Sequence, residues 1–182
     1  MDITVFGWKR NHLKKYLNDC EIICNYLSKK KNKIYTGGGG GFMLAANKGS
    51  YLVDPKLSYA ISVKILYKNE GDENNYYLDE NLTISNTFAE RKDKLIMNKD
   101  LFIIFPGGIG TLDEFAELLT LIKTKYIKPI PIILYGKEFW YSFKQWCDLM
   151  TDDYYPIDYI VDIIDTVDDF KKLYMKLFET KF

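Results

Sequence analysis

The run LFIIF, Leu101–Phe105, is apolar at every position and is cut off by Pro106–Gly107–Gly108. A strand with one wet face alternates apolar with polar residues, so a strand with no polar position is covered on both faces. That demands helices above and below it. The rest of the chain supplies them. ITVFG (Ile3–Gly7), KIY (Lys33–Tyr35), AISVKILY (Ala60–Tyr67), LTIS (Leu82–Ser85), IPIILYG (Ile130–Gly136) and YIVDII (Tyr159–Ile164) read as further strands. Between them lie longer amphipathic stretches. His12–Lys30 puts Leu13, Tyr16, Leu17, Cys20, Ile23, Cys24 and Leu27 at helical spacing, and Thr87–Asp100 is expected to turn Phe88, Leu95 and Ile96 inward. Phe42–Val53, Thr111–Lys123, Glu138–Met150 and Asp168–Phe178 complete the helical set. Such alternation predicts an α/β fold, a Rossmann-like doubly wound parallel sheet in a three-layer α/β/α sandwich. With 182 residues and no linker-like segment or internal repeat, residues 1–182 are expected to form one domain.

Charge excludes more than it suggests. Lysines and arginines number 25 and so do acidic residues, so no global field favours nucleic acid or a membrane surface. The segment before Lys33 leans basic and the segment after Cys147 leans acidic, which reads as two solvated helix faces. No apolar run approaches the roughly 18 residues of a membrane span. The opening MDITVFGW is too short and too acidic for a secretory signal, and the expectation is a cytoplasmic protein. Cys20, Cys24 and Cys147 form no zinc pattern and are expected to be reduced thiols, the first two buried one helical turn apart. No metal site is expected.

Two glycine loops stand at equivalent places. Thr36 is followed by Gly37–Gly41 and then a helix, and Phe105 by PGGIGT (Pro106–Thr111) and then a helix. At such junctions backbone N–H groups and a helix N-terminus face an anion, and ligands of open parallel sheets bind outside the carboxyl ends of the strands. Neither loop is a standard nucleotide fingerprint: the second lacks a P-loop lysine, and no acidic ribose ligand ends the strand after the first. One cluster alone also fits a tight turn; two weaken that alternative. Thr111–Leu112–Asp113–Glu114 matches a capping box, with Glu114 reaching back to its own helix, and equally suits a carboxylate aimed at a substrate. Both readings stand at this point. Arg91 is one of two arginines, beside Lys92, and its planar guanidinium suits paired bonds to phosphate or carboxylate. His12 is the sole histidine, which argues against a Ser–His–Asp or Cys–His mechanism.

Together TGGGGGFMLAANKG (Thr36–Gly49), ERK (Glu90–Lys92) and PGGIGTLDE (Pro106–Glu114) resemble the LOG (lonely guy) family, long labelled as possible lysine decarboxylases. The likeness runs from VFG near the start to VDDFKKL near the end, through LLTLIKT, KPIPIIL and EFWYSFKQW. Active members of that family are phosphoribohydrolases, which cleave the N-glycosidic bond of a nucleoside 5′-monophosphate to a free base and ribose 5-phosphate. The base is a cytokinin in some members and an ordinary nucleobase in others. The resemblance implies a homodimer with sites near the subunit interface and no cofactor. It assigns catalysis to Arg91 and Glu114. It assigns substrate or phosphate contact to Lys92, to Gly38, Gly39 and Gly41, to Gly107, Gly108, Ile109, Gly110 and Thr111, and to Thr120. A carrier or sensor of the same fold, binding a nucleotide or a phosphorylated cofactor such as molybdopterin, would keep the glycine loops without needing the Arg–Glu pair.

Some positions depart from the family. Trp8–Lys9 follows Gly7 where Gly–Ser and a small residue are usual, which sets an indole beside the expected cleft. Asp93–Lys94–Leu95 stands where a methionine is common, and Gly40 where many relatives have proline.

Overall fold

The computed structural model describes residues 1–10, 13–69, 76–78, 80–149 and 160–180. His12 and most of the KNEGDENN loop, read as the best candidate for disorder, lie outside the described residues, as does the side chain of Cys147. The chain alternates strand and helix throughout: β1 (Asp2–Phe6), α1 (Lys14–Lys29), β2 (Lys33–Thr36), α2 (Phe42–Tyr51), β3 (Ser58–Val63), α3 (Lys64–Asn69), β4 (Leu82–Ser85), α4 (Phe88–Ile96), β5 (Leu101–Ile104), α5 (Ile109–Lys123), β6 (Ile132–Tyr135), α6 (Lys137–Asp148), β7 (Ile160–Ile164) and α7 (Val167–Phe178).

All strand pairs are parallel, in the order β4-β3-β2-β1-β5-β6-β7. The chain builds outward from β1 to β4, then returns to add β5 on the other side of β1. The β1–β5 seam, with Ile3 opposite Leu101 and Phe6 opposite Ile104, is therefore the topological switch point.

The period-2 alternation divides each apolar run between two cores. Ile3, Val5, Leu101, Ile103, Ile133 and Tyr135 face α1, α2 and α7. Phe6, Phe102, Ile104, Ile132 and Leu134 face α4, α5 and α6, against Leu95, Phe115, Leu118 and Trp140. LFIIF carries no polar residue because both of its faces are full: Leu101 to Phe105 are wholly buried. Cys20 and Cys24 are buried free thiols in the first core, as the helical spacing predicts. Burial pushes the Cys20 thiol well up, away from the reactive thiolate.

Two local expectations need correction. AISVKILY is not one strand: pairing with β4 ends at Val63 opposite Ser85, and Lys64 onward is helical with Ile65 and Tyr67 exposed. A mixed apolar run cannot be told from a helix by periodicity alone. Phe88 is 48% exposed rather than inward, because it occupies the first turn of α4, beyond the cover of the sheet; Leu95 and Ile96 are buried as expected.

Candidate active site

The site is built where the loops after β1, β2 and β5 emerge on one rim of the sheet. Trp8 joins them through its main chain. Its N–H donates to the Pro106 carbonyl at 3.0 Å, and its own carbonyl accepts the Phe42 N–H at 2.9 Å. The two glycine loops thus share one peptide-sized spacer. Gly41 has φ +60 and ψ −127, and a Cβ there would overlap the Trp8 carbonyl. Only glycine fits that corner. The Trp8 indole lies along the second loop, with Nε1 3.3 Å from where a Cβ of Gly108 would be, and the Arg10 guanidinium sits 5.6 Å from the ring centroid.

Helix starts differ in their capping, and an uncapped start is not confined to the glycine loops, since α1 follows Leu13 without a side-chain cap. α4 is capped by Thr87, which accepts from the Glu90 N–H at 3.1 Å, and α7 by Thr166, which accepts from the Asp169 N–H at 3.1 Å. α2 and α5 begin at Gly41 and Gly108 with no side-chain cap. A helix end without a side-chain partner leaves its first N–H groups to water or a ligand. In the first loop the Gly38 N–H is already committed, donating to Thr36 Oγ1 at 3.0 Å, and Gly38 has φ +79.

The capping-box reading of Thr111 and Glu114 gives way. α5 starts two residues earlier than expected, at Ile109, so Thr111 lies inside its first turn and is 95% buried. Glu114, one turn further on, points across to α4 instead of back along its own helix. Its Oε1 accepts from Arg91 Nη1 at 2.6 Å. Arg91 Nε donates to the Ile61 carbonyl on β3 at 3.1 Å, and a Cβ on Gly37 would collide with Arg91 Nη2. The guanidinium is thereby held between β3, α5 and the first glycine loop. Arg91 and Glu114 are each 8% exposed, and no buried side-chain oxygen or nitrogen among the described residues lacks a partner. Glu114 Oε2, which makes no bond to the described residues, therefore retains contact with solvent. Burial raises the Glu114 carboxyl above its ordinary value, and the Arg91 charge pulls partly against that rise.

The other expected contact residues divide. Gly107, Gly108, Ile109, Gly110 and Thr111 form the uncapped start of α5, with Ile109 83% exposed. Lys92 lies next to the pair but is occupied: its ammonium meets Asp113 Oδ1 at 3.0 Å and Glu117 Oε2 at 2.5 Å. The bond to Glu117, then that to Asp113, raises its pKa. Thr120 stands six residues beyond Glu114, about 9 Å along the helix, exposed and donating to the Ala116 carbonyl at 2.8 Å. It is not part of the cluster in this chain. Gly37 belongs to the first glycine run, whereas Asn47 is not among the residues expected from sequence. The signal for Asn47 is a lone amide on the inward face of FMLAAN, where it is wholly buried. No group of His, Cys, Asp and Glu able to hold a metal occurs among the described residues.

The fold and rim define a class: doubly wound α/β domains with two glycine loops at the switch point. A family model described as "Possible lysine decarboxylase" matches residues 43–177, and the chain belongs to that family, the LOG family. The match takes in Arg91, Lys92, the second loop and Glu114, and begins just after the first loop. Among solved structures, the molybdenum cofactor binding protein of the phototrophic bacterium Rippkaea orientalis is 18% identical with a TM-score of 0.70, over 97% of this chain and 96% of that one. The molybdenum cofactor carrier protein of Chlamydomonas reinhardtii is 17% identical with a TM-score of 0.66, over 98% of each chain. At this identity the likeness establishes the fold. No curated protein matches by sequence. No helix among the described residues is long and apolar enough to cross a membrane.

Proposed function

We propose that the protein hydrolyses the N-glycosidic bond of a nucleoside 5′-monophosphate, releasing a free base and ribose 5-phosphate. The observation that carries this reading is the buried Arg91–Glu114 pair beside an uncapped helix start. The 5′-phosphate sits on the amides of Gly107–Thr111, with the loop of Gly39–Gly41 opposite. As the C1′–N bond breaks, its electron pair leaves with the base and positive charge grows on the sugar. The Glu114 carboxylate stabilises that charge and takes a proton from the water that adds to C1′, passing it on to the departing base. Arg91 holds Glu114 in register and keeps it ionised against its burial.

The family label suggests lysine decarboxylation on pyridoxal phosphate, and the residues do not fit it. A Schiff-base lysine is activated by a lowered pKa. Lys92, the lysine beside the pair, has its pKa raised and two carboxylates on its ammonium. A second reading, a carrier for a nucleotide or phosphorylated cofactor, draws on the solved structures named above; it leaves the Arg–Glu pair without a task.

The test is a panel of adenosine, guanosine, cytidine, uridine and cytokinin riboside monophosphates, followed by base and ribose 5-phosphate release across pH. At least one is expected to turn over. Since Glu114 must be ionised and burial raises its pKa, the acid limb of kcat/KM is expected above the ordinary glutamate range, with activity lost as pH falls through it. Tight binding of a monophosphate without release of any base would favour the carrier.

We also propose that the chain forms a homodimer covering the first turns of α4 and α5. Phe88, Ile109 and Leu112 are large apolar side chains exposed there. Sedimentation equilibrium is expected to give twice the 21.4 kDa chain mass; the single-chain mass at all concentrations would remove the dimer.

A further inference from the structure

Six buried or half-buried groups behind the first glycine loop form one directional hydrogen-bond network. The Gly38 N–H donates to Thr36 Oγ1 at 3.0 Å, and the Thr36 hydroxyl donates to Asn47 Oδ1 at 2.6 Å. The Asn47 amide then donates twice, to Ser58 Oγ at 2.9 Å and to the Tyr59 carbonyl at 3.0 Å. Ser58 in turn donates to the Tyr77 carbonyl at 2.6 Å. Thr36, Asn47 and Ser58 are each wholly buried.

The arrangement fixes proton positions. Ser58 gives its hydrogen to a main-chain carbonyl, that of Tyr77 at 2.6 Å or that of Asn47 at 3.3 Å, so toward the Asn47 side-chain amide it can only accept. The Tyr59 carbonyl can only accept as well. Asn47 must therefore present its NH₂ to β3, and its carbonyl oxygen is left facing Thr36. The Thr36 hydrogen goes there, and its lone pair meets Gly38. Only a side chain carrying both an acceptor and two donors satisfies every neighbour. Aspartate, of the same shape, would set a lone pair against the Tyr59 carbonyl.

We infer that Asn47 is a positioning residue for the anion cradle, acting through Thr36 to hold the Gly38 peptide and hence the path of the first glycine loop. The loop has no side chains of its own between Gly37 and Gly41 with which to hold its shape. The polar chain behind it performs that task, and also ties the loop to β3 and to the Tyr76–Leu78 segment that leads into β4. Substrate is not touched by Asn47. The inference rests on the reading of this rim as a phosphate site, but its first readout does not.

That first readout is amide hydrogen exchange by NMR. Gly38 is expected to exchange about ten times more slowly than Gly39 in the wild type, since only the former has a buried acceptor. Thr36→Val keeps the shape of the strand residue and removes the hydroxyl; Gly38 is expected to rise to the rate of Gly39, and Thr36→Ser to restore protection. Asn47→Ala and Asn47→Asp are expected to raise it as well. On a monophosphate substrate, Thr36→Val is expected to raise KM about ten-fold with kcat within about two-fold, a split that simple loss of fold would not give. Unchanged Gly38 exchange in Thr36→Val and both Asn47 variants would overturn the inference. Altered exchange with unchanged KM would overturn the positioning role while leaving the hydrogen-bond chain intact. Should no monophosphate turn over at all, the hydrolase reading fails, and inorganic phosphate titrated into the same variants still decides the positioning role.

Discussion

Glu114→Gln is expected to lower turnover of a nucleoside monophosphate about 1,000-fold while changing its dissociation constant by less than about three-fold. Glutamine preserves the volume of the side chain and still offers an oxygen to Arg91 Nη1, now at 2.6 Å from Glu114 Oε1. It cannot take a proton from water and does not oppose a cationic sugar. The phosphate contacts assigned to the start of α5 are left alone, which is why binding is expected to survive. Arg91 loses its counter-charge in a site 8% exposed, so a stability loss of about 1–3 kcal/mol should accompany the change. Circular dichroism melts separate that loss from the kinetic one. A variant that keeps more than a tenth of wild-type turnover would take the proton-transfer role away from Glu114.

The second large effect is expected from a position with no chemistry. Gly41→Ala forces an L-residue into φ +60, ψ −127 and drives its methyl group into the Trp8 carbonyl and the Lys9 backbone. Backbone strain and the displaced contact together are expected to cost about 3–5 kcal/mol, or roughly 10 °C in Tm for a chain of this size. Both glycine loops should be disturbed at once, because Trp8 is bonded to each. Gly110→Ala is the matched control: nothing lies within 4 Å of its added methyl, and its place inside α5 is expected to make the change neutral or stabilising by about 0.5–1 kcal/mol. Urea titration of the two variants reads the contrast. Equal stability of Gly41→Ala and the wild type would mean that the Trp8 main chain does not pin the loops.

The sequence carried the architecture because the core is written in period. LFIIF and IPIIL show no polar break since their strands lie mid-sheet, and the Leu13–Leu27 stripe declares the buried face of α1. The end of β3 was not legible, because whether an apolar run stays extended depends on a partner strand about twenty residues away. The site was legible in its residue types and less so in its pairings. Thr111 to Glu114 fits a helix cap as a string; only the three-dimensional approach of α4 turns Glu114 toward Arg91. Lys92 shows the converse. The family resemblance assigns it substrate contact, and the acids that occupy it sit twenty-one and twenty-five positions later. Asn47 does not stand out in the sequence, since its partners come from β2 and β3.

Residue 8 serves the rim with its peptide groups and sets its ring beside the second glycine loop. Swapping that ring for another leaves those main-chain bonds in place, so on the proposed reading the gauge of the phosphate seat is kept while the room left for a nucleobase changes with each choice. On that reading, selectivity at this mouth can drift through a single codon without loosening the anchor.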